Sequence, residues 1–104
     1  MDAKRTITIV TDLGQTVEQA PEHATHAIVG RFDYDFDRDR GLPLETVQRL
    51  VGEGFYEPRV LRWLSDIRYA AATHDALMKY DPVTALQTVE VGAVVPLARP
   101  IYRD

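Results

Sequence analysis

Four aspartates recur at every second position: Asp33, Asp35, Asp37 and Asp39. Alternating carboxylates open a calcium-binding loop, which also needs glycine at its sixth position and a carboxylate at its twelfth. Counted from Asp33 those positions hold Arg38 and Leu44; counted from Asp35 they hold Arg40 and Thr46. Neither register works, so the pattern reads as one solvated face of a strand, balanced by Arg31, Arg38 and Arg40. A row of strand carboxylates spaced about 6.6–7 Å apart also roughly tracks a phosphate backbone. That spacing supports an alternative function, an acidic inhibitor or accessory protein binding a nucleic-acid-handling partner. The segment's net charge of −1, four aspartates against three arginines, gives this reading little force.

The histidines are His23, His26 and His74. Two of them lie three apart, but Pro21 and the strand expected after His26 argue against a helix that would aim both at one metal. No third ligand is placed by spacing, so neither metal nor cofactor is expected. Ser65 is the sole serine; it stands between Leu64 and Asp66 with no glycine elbow or neighbouring base. No acid, base or nucleophile group is visible, and a non-enzymatic role is expected.

The aromatic residues offer a binding site instead. Phe32, Tyr34, Trp63 and Tyr69, with His74 as a polar handle, are the candidate ligand-binding residues. If the strand carrying Phe32 and Tyr34 meets a helix carrying the other three, they could line an apolar pocket. A filled core is the competing use for the same side chains.

The elements that must position them follow from periodicity. Residues 5–11 alternate as a strand, with a turn at Asp12–Gln15 and a short returning arm. Residues 26–36 read as the clearest strand. Ile28, Gly30, Phe32, Tyr34 and Phe36 fall on its core side, with Val29, Arg31 and the aspartates on its wet side. Pro43 opens a helix with the stripe Leu44, Val47, Leu50 and Val51, closed by Gly52 and Gly54. Pro58 opens a second helix, expected to run to Tyr80 through Val60, Trp63, Leu64, Ile67, Ala70, His74 and Leu77. Residues 87–95 read as a final strand, and 96–104 as an extended C-terminal arm because of Pro96 and Pro100.

The expected fold is α+β: a small mixed or antiparallel sheet of about three or four strands with two central helices on one face, in a single domain covering 1–104. The two helices around Gly54 also carry a DNA-binding alternative, a helix-turn-helix-like pair at 43–80. Gly54, Phe55, Val60 and Trp63 fit that motif, whereas Arg49, Glu53, Glu57 and Pro58 do not.

Composition bounds the rest. The chain has 104 residues, a net charge of −4 and no cysteine, which excludes disulfides and thiolate chemistry. Residues 1–56 hold ten acids and six bases, so the negative excess lies in the first half. Such a chain lacks the positive field that drives nucleic-acid binding. The apolar run after Met1–Arg5 is short and threonine-rich, unlike a leader peptide, and no segment suits a membrane span. A cytoplasmic setting is expected. The best reading is a small non-enzymatic interaction or ligand-binding module, dimeric, taking a protein partner or a small apolar ligand.

Overall fold

The computed structural model describes residues 5–103. Met1–Lys4, at the head of the segment expected not to be a leader, and Asp104, the last residue of the expected arm, lie outside the described residues.

Strands β1 (Thr6–Thr11) and β2 (Gly14–Gln19) form a hairpin in unbroken register across the Asp12-Leu13 loop. Gly14 sits at φ +131°, a conformation that L side chains rarely adopt. Strand β3 (His26–Phe32) leads into two helices, α1 (Tyr34–Asp39) and α2 (Leu44–Gly52). Strand β4 (Arg59–Leu64) follows, then a 3-10 turn at Ile67–Tyr69 and helix α3 (Ala70–Tyr80). Strands β5 (Val83–Glu90) and β6 (Val94–Pro96) complete the elements.

The fold is α+β, with its strands divided between two three-stranded sheets rather than gathered in one. The first has the order β2-β1-β6 and is mixed, since β6 runs parallel to β1. The second, β4-β3-β5, is wholly antiparallel. The sheets face each other across a core of Ile7, Ile9, Ala27, Val29, Val95 and Leu97. Helix α3 covers the far face of the second sheet, where Leu77 meets Ile28, Leu64 and Val83. A third cluster, built on Tyr34, Val47 and Tyr56, joins α1 and α2 to Phe32 at the end of β3.

The middle layer explains the first correction. Ala27, Ile28 and Val29 are all fully buried, so β3 has no wet side at Val29. A strand covered on both faces does not alternate. The strand also ends at Phe32 and not at Phe36. The Asp33 carboxylate accepts from the N–H groups of Asp35 and Phe36 at 3.0 and 3.2 Å, capping α1. Asp35 and Asp37 then lie in the first turn, where the helix dipole favours negative charge. The four aspartates therefore form a helix turn, not the strand row that the phosphate-mimic reading needed.

The second correction concerns residues 58–80. Helix α2 stands where Pro43 placed it, but the expected second helix is a strand, a break and a shorter helix. Between Ile28 and Val29 the β3–β4 register slips, leaving Leu61 as an extra residue on β4. This bulge lets Val60 and Trp63 both face the core between the sheets, while Leu61 and Leu64 both face α3. A three-residue spacing that reads as helical is here the product of a bulged strand. Strand β4, not a helix, follows the turn at Gly54, so α2 and α3 are not the adjacent pair that a helix-turn-helix at 43–80 requires. The final valine run is also divided. Gly92, at φ +100°, turns the chain so that Val89 serves the second sheet and Val95 the first.

Candidate functional site

Residues 97–103 form no helix or strand, but they are strapped back onto the molecule. Leu97 is in the inter-sheet core, and the Arg31 Nε–H donates to the Ala98 carbonyl at 3.2 Å. Arg99 grips Glu57 with two N–H groups, and the Tyr102 hydroxyl donates to the same carboxylate. Tyr34 donates its hydroxyl to the Arg103 carbonyl, and Arg103 pairs with Asp35 at 2.8 Å. The strap closes one side of the α1–α2 corner.

Beneath it lies an aromatic floor. The Tyr34 ring meets Tyr56 and Tyr102 edge-on, at centroid distances of 5.4 and 5.2 Å. Tyr56 is fully buried and donates to the Asp37 carboxylate at 2.8 Å. Asp37 is itself buried and takes a second bond from Arg40 at 3.1 Å. Burial pushes the Tyr56 phenol up, and the hydrogen bond to Asp37 adds to the shift. Burial likewise raises the Tyr102 phenol, reinforced by its bond to Glu57. At Glu57 burial works upward, but the hydrogen bonds from Arg99 and Tyr102 outweigh it and hold the carboxyl below its usual range. The Arg103 hydrogen bond lowers Asp35 in the same way.

Between strap and helix remains a cleft of about 160 Å³. Leu44, Val47, Gln48 and Val51 of α2 line one wall; Tyr102 and Arg103 line the other, with Tyr34 also contributing. Leu44 is 67% exposed at its rim. The Glu57 and Asp37 carboxylates beside the cleft are both occupied by phenol and guanidinium donors. What the arrangement can do is accept an apolar group.

The five residues expected from sequence are scattered. Tyr34 lines the cleft, and Phe32 stacks on Phe55 nearby at 4.6 Å, with the Arg59 guanidinium over both rings. Trp63 packs against the inter-sheet core and borders a separate depression with Pro21 and His23. Tyr69 is 56% exposed at the end of the 3-10 turn, and His74 is half-buried on α3. None of the described cavities takes more than one of the five. The reason is the strand at 59–64, which moves Trp63 off the helix that was to carry it beside Tyr69 and His74. The residues that do make the cleft include Tyr102 and Arg103, which are absent from the candidate set because an extended arm at 96–104 names no packing partner. An aromatic just after Pro100 was the available signal for a tail that packs.

Three arginines that follow Gly54 in the chain have partners within the molecule. Arg59 donates to the carbonyls of Gly54 and Phe55, Arg62 lies 3.9 Å from Asp81, and Arg68 pairs with Asp66 at 2.8 Å. His26 bonds Thr25 at 2.8 Å and lies 4.0 Å from Glu90. Among the described residues no group of three His, Asp or Glu side chains could hold a metal ion. Among the described residues, no helix is long and apolar enough to cross a membrane. In comparisons with protein-family models, curated proteins and solved structures, nothing matches this chain.

Proposed function

We propose that the protein is a non-enzymatic interaction module whose α2–tail cleft receives a single apolar side chain of a protein partner. The size of the cleft carries this reading. Sites for whole organic ligands span roughly 300–1,000 Å³. A cleft of about 160 Å³ is half the lower bound. Cavities of about 150 Å³ hold one benzene ring, which is the scale of a tyrosine or leucine side chain. An exposed leucine at the rim supplies apolar contact for the residues flanking such an anchor, as at interface hot spots. A cytoplasmic setting belongs to the same proposal, and the cysteine-free composition is compatible with it.

The test uses p-cresol as a surrogate for a tyrosine side chain, titrated into the full chain and followed by amide NMR shifts. Saturable shifts confined to residues near Tyr34, Val47, Val51 and Tyr102 are expected, with a dissociation constant of about 1–10 mM. Val51→Trp, which fills the cleft from α2, abolishes them. Shifts that never saturate, or that survive Val51→Trp unchanged, would overturn the reading.

A further inference from the structure

Strand β2 is one edge of the first sheet, unpaired on its outer side among the described residues, and of the usual edge protections it has only an inward-pointing charge. It has no proline and no lysine, and its pairing with β1 runs without a bulge. Its one charged residue, Glu18, turns inward, where its carboxylate accepts the Val60 N–H at 2.8 Å. The outward residues of β1, β2 and β6 are all uncharged, with Val17 55% and Val94 66% exposed.

The direction of the edge's backbone groups follows from the pairing. Thr8 N–H donates to the Ala93 carbonyl and Val10 C=O accepts from Leu97, so both residues turn their backbone toward β6. Their cross-strand partners in β2 are Val17 and Gln15. In an antiparallel ladder such partners point their groups away from each other, so Gln15, Val17 and Gln19 turn N–H and C=O groups outward that have no backbone partner among the described residues.

We propose that β2 pairs antiparallel with β2 of a second copy, about a two-fold axis through Val17, to make one continuous six-stranded sheet. Parity and charge select this register. An antiparallel partner must face outward groups with outward groups, which an axis through any of residues 15–19 allows; axes at Thr16 and Glu18 pair only two outward residues of each strand, and the latter sets Glu18 against itself. Val17 gives the longest overlap. It places Val17 against Val17 and Gln15 against Gln19, and these pairs exchange about six backbone hydrogen bonds. On the inner face it sets Glu18 against Thr16. Thus no like charges meet, although each copy carries −4. The surface is the same on both copies, as a closed two-fold requires. This inference is independent of the α2–tail cleft and stands or falls separately.

Sedimentation of the full chain from about 1 µM to 1 mM is expected to show a reversible dimer, weak because an edge contact buries little area. Val17 faces itself across the axis, so Val17→Lys and Val17→Glu are each monomeric, while their mixture forms a heterodimer. The cysteine-free chain adds a second measurement. Val17→Cys crosslinks under mild oxidation, since facing Cα atoms about 5.5 Å apart suit a disulfide. Val94→Cys, on the sheet's other edge, does not. A wild-type chain that stays monomeric throughout, crosslinking of Val94→Cys as fast as Val17→Cys, or no rescue on mixing the charged variants would each overturn the proposal. A monomer would leave the edge to an extended segment of a different protein.

Discussion

At the scale of single residues, the α1–α2 corner depends on a carboxylate that is nearly withdrawn from solvent. Asp37 is 5% exposed and is held by Tyr56 and Arg40. Removing one donor from a buried acceptor costs more than the hydrogen bond was worth, because its desolvation is no longer offset. Tyr56→Phe keeps the ring that packs on Tyr34 and Phe55 and deletes only the hydroxyl. It is expected to destabilise the fold by about 1–3 kcal/mol in denaturant unfolding. A loss below about 0.5 kcal/mol would mean that Arg40 alone satisfies the carboxylate. This partnership was not legible in the sequence. Asp37 stood in an alternating acidic run whose simplest reading was solvated. Its burial depends on Tyr56, nineteen residues away. The Asp33 cap was legible in principle, since aspartate before a helical turn is a strong start signal, but the period of two masked it.

At the scale of elements, the strap from Ala98 to Arg103 is held chiefly by charge. Glu57 binds Arg99 and Tyr102, and Asp35 binds Arg103, so both carboxyls are held below their ordinary values. A carboxyl with a depressed folded value stabilises above its unfolded value and loses that contribution as pH falls through the folded one. The strap should therefore hold firmly at neutral pH and loosen below about pH 4.5, the ordinary glutamate range. Glu57→Gln is expected to cost about 1–3 kcal/mol at pH 7. The gap between wild type and variant should close as pH falls from 6 to 3, read from thermal unfolding at each pH. A gap constant over that window would detach the strap from Glu57 ionisation. The packing of this extended tail was not legible, because Pro96 and Pro100 speak only against a central strand and say nothing of what the chain lies upon. The β4 misreading has a sharper cause. Period-counting assumes that each residue advances the chain by one step. The extra Leu61 breaks that count, turning a strand's alternation into a helix-like stripe. Helix α2, whose proline start and glycine end are local signals, was legible because nothing distant overrides them.

At the scale of the whole molecule, the α+β class follows from the mixture of periodicities, but the layering does not. A chain records which faces are apolar, not how many layers cover them, and β3 becomes the middle of three layers only through contacts with β1 on one side and α3 on the other. Among the described residues the same layering leaves the outer face of the first sheet and the β2 edge uncovered, which makes association a matter for the whole charge distribution. Two copies, each with net charge −4, repel one another, while the paired edges contribute no opposing ion pairs. With centres about 30 Å apart, the unscreened repulsion in water is about 2 kcal/mol. At about 10 mM salt the Debye length is about 30 Å, so a good part of this persists; at about 150 mM it is about 8 Å and nearly all of it is gone. The β2-paired dimer should therefore tighten about fourfold between those conditions, as measured by sedimentation equilibrium. An interface built on complementary ion pairs would weaken over the same range. Salt-induced dissociation would mean that charged side chains, rather than a neutral strand edge, join the copies.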